Sequence, residues 1–116
     1  MRRVLVCGGR HYKNGQHLFA VLDEAHGKTP ISTIVHGGAR GADSLAGEWA
    51  ACRGVPCDVY KADWDKYGNR AGPVRNQLML DAGKPDLVIA FPGSRGTADM
   101  VGRSTRAGLR VVMIRK

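Results

Sequence analysis

The stretch VHGGARGAD at residues 35–43 decides how this chain is read. A strand-like run, STIVH at 32–36, leads into it. Three glycines and an arginine follow, and Ala42 and Asp43 open a helical pattern. Glycines after a strand let the backbone turn sharply and bring its N–H groups close to a ligand. A helix starting there adds free N–H donors and a partial positive charge. An arginine in the loop adds a forked cation suited to phosphate. The same design recurs in VCGGR at 6–10 and FPGSRGTAD at 91–99. One such loop says little, because strand-to-helix turns need glycine anyway. Three of them, each with an arginine, point to an anion site.

Outward from those loops the chain alternates strands and helices. RVLVC (3–7), STIVH (32–36), PCDVY (56–60), DLVIAF (86–91) and RVVMI (110–114) read as strands. DLVIAF is a continuous apolar run and belongs at the centre, whereas PCDVY is less apolar and belongs nearer an edge. Helices are expected over 15–27, with Leu18, Val21, Leu22 and Ala25 as the apolar stripe, and over 42–53, with Ala42, Leu45, Ala46, Trp49 and Ala50. A third begins around Pro73, a residue suited to a first turn, and places Arg75 in that turn. A fourth is expected from a Thr97 cap to about Ala107. Residues 61–72 read as a polar loop dotted with aromatics.

Five strands alternating with four helices imply right-handed crossovers and a mostly parallel five-stranded sheet covered on both faces. The expectation is one Rossmann-like three-layer α/β domain over residues 1–116. The usual strand order 3-2-1-4-5 makes the three loop-bearing strands neighbours. Ligands in such sheets bind beyond the carboxyl ends of the strands at the switch in strand order, so the loops converge on one crevice.

Composition narrows the partners. With 18 Lys+Arg against 10 Asp+Glu the net charge is +8, and 12 of the 18 are arginine. That balance favours phosphorylated or polyanionic partners. The basic-then-apolar start MRRVLVCGG is too short for a signal peptide and runs into a glycine loop, and no apolar run nears the ~18 residues of a membrane span. A cytoplasmic location and no membrane partner are expected. The three cysteines show no metal or disulfide spacing, and Cys7 and Cys57 read as small buried hydrophobes. No His/Asp/Glu cluster suggests a metal, and neither GxGxxG nor GxxxxGK[ST] occurs, so no cofactor is expected.

These motifs resemble known families. GGARGADSLAGEWA is similar to the GxARGxD segment of DprA/Smf proteins, and PVRNQLML with DLVIAFPGSRGTADM resembles the Lonely-guy (LOG) phosphoribohydrolases, whose strand is followed by PGGxGTxxE. Both belong to the SLOG superfamily of Rossmann-like nucleotide-binding domains. Nearly the whole chain, from CGGRHYKN to FPGSRGTA, looks most like the short YspA-type SLOG proteins of bacteria and phages. The resemblance implies a phosphate end lined by Gly37, Gly38, Arg40 and Gly41, and a second phosphate loop of Pro92, Gly93, Gly96 and Thr97. Gly8, Gly9, Arg10, Ser94 and Arg95 join these as phosphate-binding candidates. It also matches Arg75 to the LOG arginine that binds substrate and takes part in catalysis. The LOG glutamate that ends PGGxGTxxE is replaced by Met100, and the nearest carboxylate is Asp99. One residue is a rotation of about 100° on a helix, so Asp99 need not reach the same atom. Asp99 and Asp43 are the candidate acids beside Arg75. Asp43 has a plainer role in the favourable field of a helix N-terminus. Tyr12, Trp64, Tyr67 and Asn76 are candidates for base or ribose contact, although the plainer role of the aromatics, packing loop onto domain, comes first.

Three functions follow in order. The first is binding of a nucleotide or nucleotide-derived small molecule (a nucleoside monophosphate, an ADP-ribose-like or a cyclic nucleotide) as a sensor or sponge. The second is a LOG-like phosphoribohydrolase or N-glycosidase, which Met100 argues against. The third is DprA-like single-stranded DNA binding, for which few aromatics are available. Because a crevice on so small a domain has one wall, a homodimer or higher homo-oligomer through residues 42–53 or 73–82 is expected.

Overall fold

The structure, a computed structural model, describes residues 1–115. Strands β1 (Arg2–Cys7), β2 (Ile31–His36), β3 (Cys57–Val59), β4 (Leu87–Ala90) and β5 (Arg110–Met113) form one sheet in the order β3-β2-β1-β4-β5. All four pairings are parallel. The helices are α1 (Gly15–Lys28), α2 (Ala42–Arg53), the single turn α3 (Trp64–Tyr67), α4 (Ala71–Asp81) and α5 (Arg95–Arg106), with a 3-10 turn at Gly68–Arg70.

The apolar strand runs follow from burial on both faces, with successive side chains pointing opposite ways. Val4, Val6, Ile34, Leu87 and Ile89 meet Leu18 and Leu22 of α1 and Ala46, Trp49 and Ala50 of α2. Leu5, Cys7, Val35, Val88 and Ala90 point to the other face, against Met79 of α4 and Met100 of α5. Two helices therefore cover each face, with α1 beside α2 and α4 beside α5. Trp49 is fully buried, and its indole N–H donates to Asp23 Oδ1 of α1 at 2.9 Å. Arg53 holds the same carboxylate at both oxygens, at 2.8 and 2.9 Å.

Several sequence expectations need correction. The segment 61–72 is not all loop. Asp63 accepts from the Lys66 N–H at 3.1 Å and caps α3, and α4 begins at Ala71. Arg75 thus sits in the second turn of its helix. Thr97 does not cap α5, which opens at Arg95 after Ser94, so Thr97 lies inside the first turn. Cys57 is exposed, as is Cys52, because β3 is a three-residue edge strand; only Cys7 is buried.

Trp49→Ala should destabilise the fold by about 3–5 kcal/mol, the usual cost of deleting a buried tryptophan side chain. Urea unfolding checks it, and a loss below about 1 kcal/mol would show that the α1–α2 face tolerates the cavity.

Candidate functional site

The loops after β1, β2 and β4 meet at the carboxyl edge of the sheet, and the backbone of Gly9 joins them. Its N–H donates to Pro92 O at 2.8 Å, while its carbonyl accepts from Ala42 N and Tyr12 N, each at 3.2 Å. The approach needs glycine. A Cβ on Gly8 would lie 2.6 Å from Ala42 Cβ. Gly41 has φ 77°, and a Cβ there would overlap the carbonyls of Gly9 and Arg10. Side chains of ordinary size would hold these loops apart.

A cleft of about 850 Å3 opens over this junction. Its floor and walls come from Gly8, Gly9, Arg10 and Tyr12 after β1, from Pro92–Thr97 before and within the start of α5, from Arg75 and Asn76 of α4, and from Trp64 of α3. The candidates brought together are therefore most of those expected. Others are not. Gly37, Gly38, Arg40 and Gly41 do not face the cleft, although Ala39 and Asp43 do. Gly41 backs onto the β1 loop, and Arg40 is exposed outside the cleft. Tyr67 opens into a neighbouring cavity instead. The Tyr12 ring lies 5.3 Å from that of Phe91, so it is a wall; its buried hydroxyl has no protein partner. Trp64 is 49% exposed, with the Arg10 guanidinium 5.6 Å over its ring.

One chain of polar bonds crosses the cleft. Arg75 Nη1 donates to Gly37 O at 2.8 Å and its Nε to Asn76 Oδ1 at 3.0 Å. Asn76 Nδ2 donates to Asp99 Oδ2 at 3.0 Å and, at 3.3 Å, to Gly96 O. Arg103 Nε donates to the same Asp99 oxygen at 2.8 Å, and its Nη1 to Gln77 Oε1 at 3.0 Å. Asn76 is 4% exposed, so it braces Arg75 and Asp99 from beneath rather than standing free for a ribose. Burial works against the Asp99 charge, yet the bonds from Arg103 and Asn76 hold its carboxyl below the usual value. Arg75 loses some of its proton affinity to burial but stays charged. The guanidinium has five N–H donors, and these bonds use two, leaving three for a ligand.

Asp43, at the cleft, and His36, at the end of β2, make bonds within the loop after β2. Asp43 Oδ2 accepts from Gly37 N at 3.0 Å and Ala39 N at 3.2 Å, clasping the loop that precedes its own helix. It makes no ion pair with Arg40 or Arg75 among the described residues. Burial raises its carboxyl, against the bonds from the loop and the charges of His36 and Arg75. His36 Nδ1 accepts from Gly38 N at 3.0 Å, which requires that nitrogen unprotonated, and burial lowers its pKa. Burial pushes the Cys7 thiol up to about 12, with Asp43 adding to it, so it is no nucleophile near neutral pH. Met100 is 1% exposed and belongs to the core.

Sequence reasoning missed Arg103, Gln77 and Asn69. Arg103 had a readable signal, since Asp99 and Arg103 stand four apart on one helix. Asn69 lines the cleft through loop geometry that no spacing announces, whereas His11 follows directly on the glycine loop after β1 and lines the cleft from there. Among the described residues no group of three or more His, Cys, Asp or Glu side chains could hold a metal, and no helix is long and apolar enough to cross a membrane.

Two measurements test this geometry. Gly41→Ala should cost about 2 kcal/mol or more, from a left-handed backbone and a clash with the β1 loop; wild-type stability in denaturant would deny the close approach. His36 has a folded pKa below its unfolded 6.5, so the unfolded chain binds more protons and stability falls as pH drops through 6.5. His36→Asn keeps an acceptor but cannot titrate. The unfolding midpoint of that variant should therefore lose less between neutral and mildly acidic pH than wild type does. Equal losses would remove His36 as the cause.

Residues 2–67 match the family described as YspA, cpYpsA-related SLOG. The chain is 39% identical over 120 residues to the Gene 61 protein of Mycobacterium phage D29, covering 97% of this chain and 95% of that protein. Among solved structures it resembles DNA processing protein A (DprA) from Streptococcus pneumoniae, with a TM-score of 0.78 at 19% identity, over 98% of this chain. It spans 50% of that DprA chain, and the likeness is one of fold. The shared sequence over most of its length makes this chain a member of the YspA, cpYpsA-related SLOG family.

Proposed function

We propose that the cleft binds a nucleotide or nucleotide-derived small molecule, and that the chain acts as a sensor or sponge for it. The observation that carries this is the convergence of the β1 and β4 loops on one cleft of nucleotide size, with Arg75 at its edge. The phosphate would rest between Gly8–Arg10 and Gly93–Thr97. The first turn of α5 has no side-chain cap bond and no acidic residue, so its N–H groups and partial charge are free for an anion. Arg75 would close on the phosphate with its three free donors. Trp64 offers its exposed ring to the base.

Binding ranks above hydrolysis on the state of the carboxylates. Cleaving an N-glycosidic bond gains from a carboxylate beside the ribose that stabilises positive charge or positions water. Met100 is in the core, Asp99 is held by Arg103 and Asn76, and Asp43 is held by loop N–H groups. Each carboxylate already serves the fold. Single-stranded DNA is the second reading, favoured by the +8 charge and the DprA-like fold.

Calorimetry with nucleoside 5′-monophosphates tests the proposal. Arg75→Ala should weaken binding by about 1.5–3 kcal/mol, the range for hydrogen bonds to a charged group. Unchanged affinity would take Arg75 out of the site. Prolonged incubation should release no free base, and release would move the assignment to the glycosidase. If single-stranded DNA is the ligand instead, log K should fall steeply with log salt.

A further inference from the structure

A second cavity, of about 600 Å3, adjoins the cleft. The two share Pro73 and Arg75, so the N-terminal half of α4 forms a saddle between them. Each side of the saddle has one exposed aromatic from the same short helix. Trp64 faces the main cleft, and Tyr67, 38% exposed, faces the second cavity. Bases of a short strand stack well on aromatic rings of either kind.

The charges agree with a bridging phosphate. Lys61 and Arg70 line the second cavity and make no ion pair among the described residues. Its carboxylates are already engaged: Asp63 caps α3, and Asp81 accepts from Gln77 at 3.0 Å. Arg75 stands on the saddle with donors unused, where a linkage between two nucleosides would cross.

We infer that the ligand carries two bases joined through a phosphate, one base on Trp64 in the cleft and the other on Tyr67 in the second cavity. This rests on the nucleotide assignment of the cleft and deepens it. A mononucleotide fills one cavity and leaves Tyr67 in water, whereas a dinucleotide uses both aromatics and places its linkage at Arg75.

Intrinsic fluorescence tests it, because Trp49 is fully buried and Trp64 reports on the site. The chain is titrated at one ionic strength with adenosine 5′-monophosphate, with the 5′-phosphorylated diadenylate, and with a longer single-stranded oligoadenylate. The dinucleotide should bind about 10-fold or more tightly than the mononucleotide, the effect expected of one added stacked base. Tyr67→Ala should abolish that ratio, and Tyr67→Phe should keep it. If the mononucleotide binds and the dinucleotide is no tighter, the two-base ligand is wrong while the cleft assignment stands. If neither binds, both fail. Affinity that keeps climbing with strand length would make the ligand a polynucleotide, and self-association abolished by Tyr67→Ala would give the second cavity to another copy of the chain; either outcome overturns the inference.

Discussion

The amide of Gly9 and its carbonyl tie three loops that are far apart in sequence. The N–H reaches Pro92 after β4, and the carbonyl reaches the first residue of α2 and Tyr12 further along its own loop. These bonds form only because the surrounding positions lack side chains that would separate the loops. The sheet order brings the strands together, since β1 lies between β2 and β4. The junction, not any single motif, gives the cleft its floor. Because β1 is the central strand and is buried on both faces, that floor sits on the core of the molecule.

What stands on the floor is electropositive by construction. The two carboxylates that line the cleft both accept bonds from the protein, Asp43 from its loop and Asp99 from Asn76 of α4 and Arg103 of its own helix. The cations are less committed. Arg10 lies over an aromatic, Arg95 is exposed at the rim, and Arg75 retains donors. A site so arranged can hold an anion. The core position of Met100 fits the same account: the helix position that could carry an acid is used for packing.

Much of this was legible in the sequence, for physical reasons. Continuous apolar runs mark strands buried on both faces, and glycines after them mark tight approaches, so strand order and loop convergence followed. The failures are equally specific. Arg40 shares the glycine-rich context of Arg75's partner loop, but its side chain leaves the loop on the outer side, a direction that spacing does not reveal. Tyr67 reads as a partner of Trp64 because both fall in one polar, aromatic-dotted stretch. Asp63 instead starts a helical turn there that sends the two rings to different cavities. Asn76 looked like a polar group available to ligand, and tertiary packing turned it into a brace. Cys57 read as buried because its run looked like a strand, but an edge strand of three residues buries little.

The central claim is that the glycine junction and Arg75 together receive a phosphorylated nucleotide. Amide chemical shifts of the isotope-labelled chain, followed during titration with nucleoside 5′-monophosphates, test it most directly. The account predicts saturable shifts concentrated at Gly8–Arg10, Gly93–Thr97 and around Arg75, with β5 and the outer face of α1 silent. Shifts absent at saturating ligand, or centred away from those loops, would contradict it.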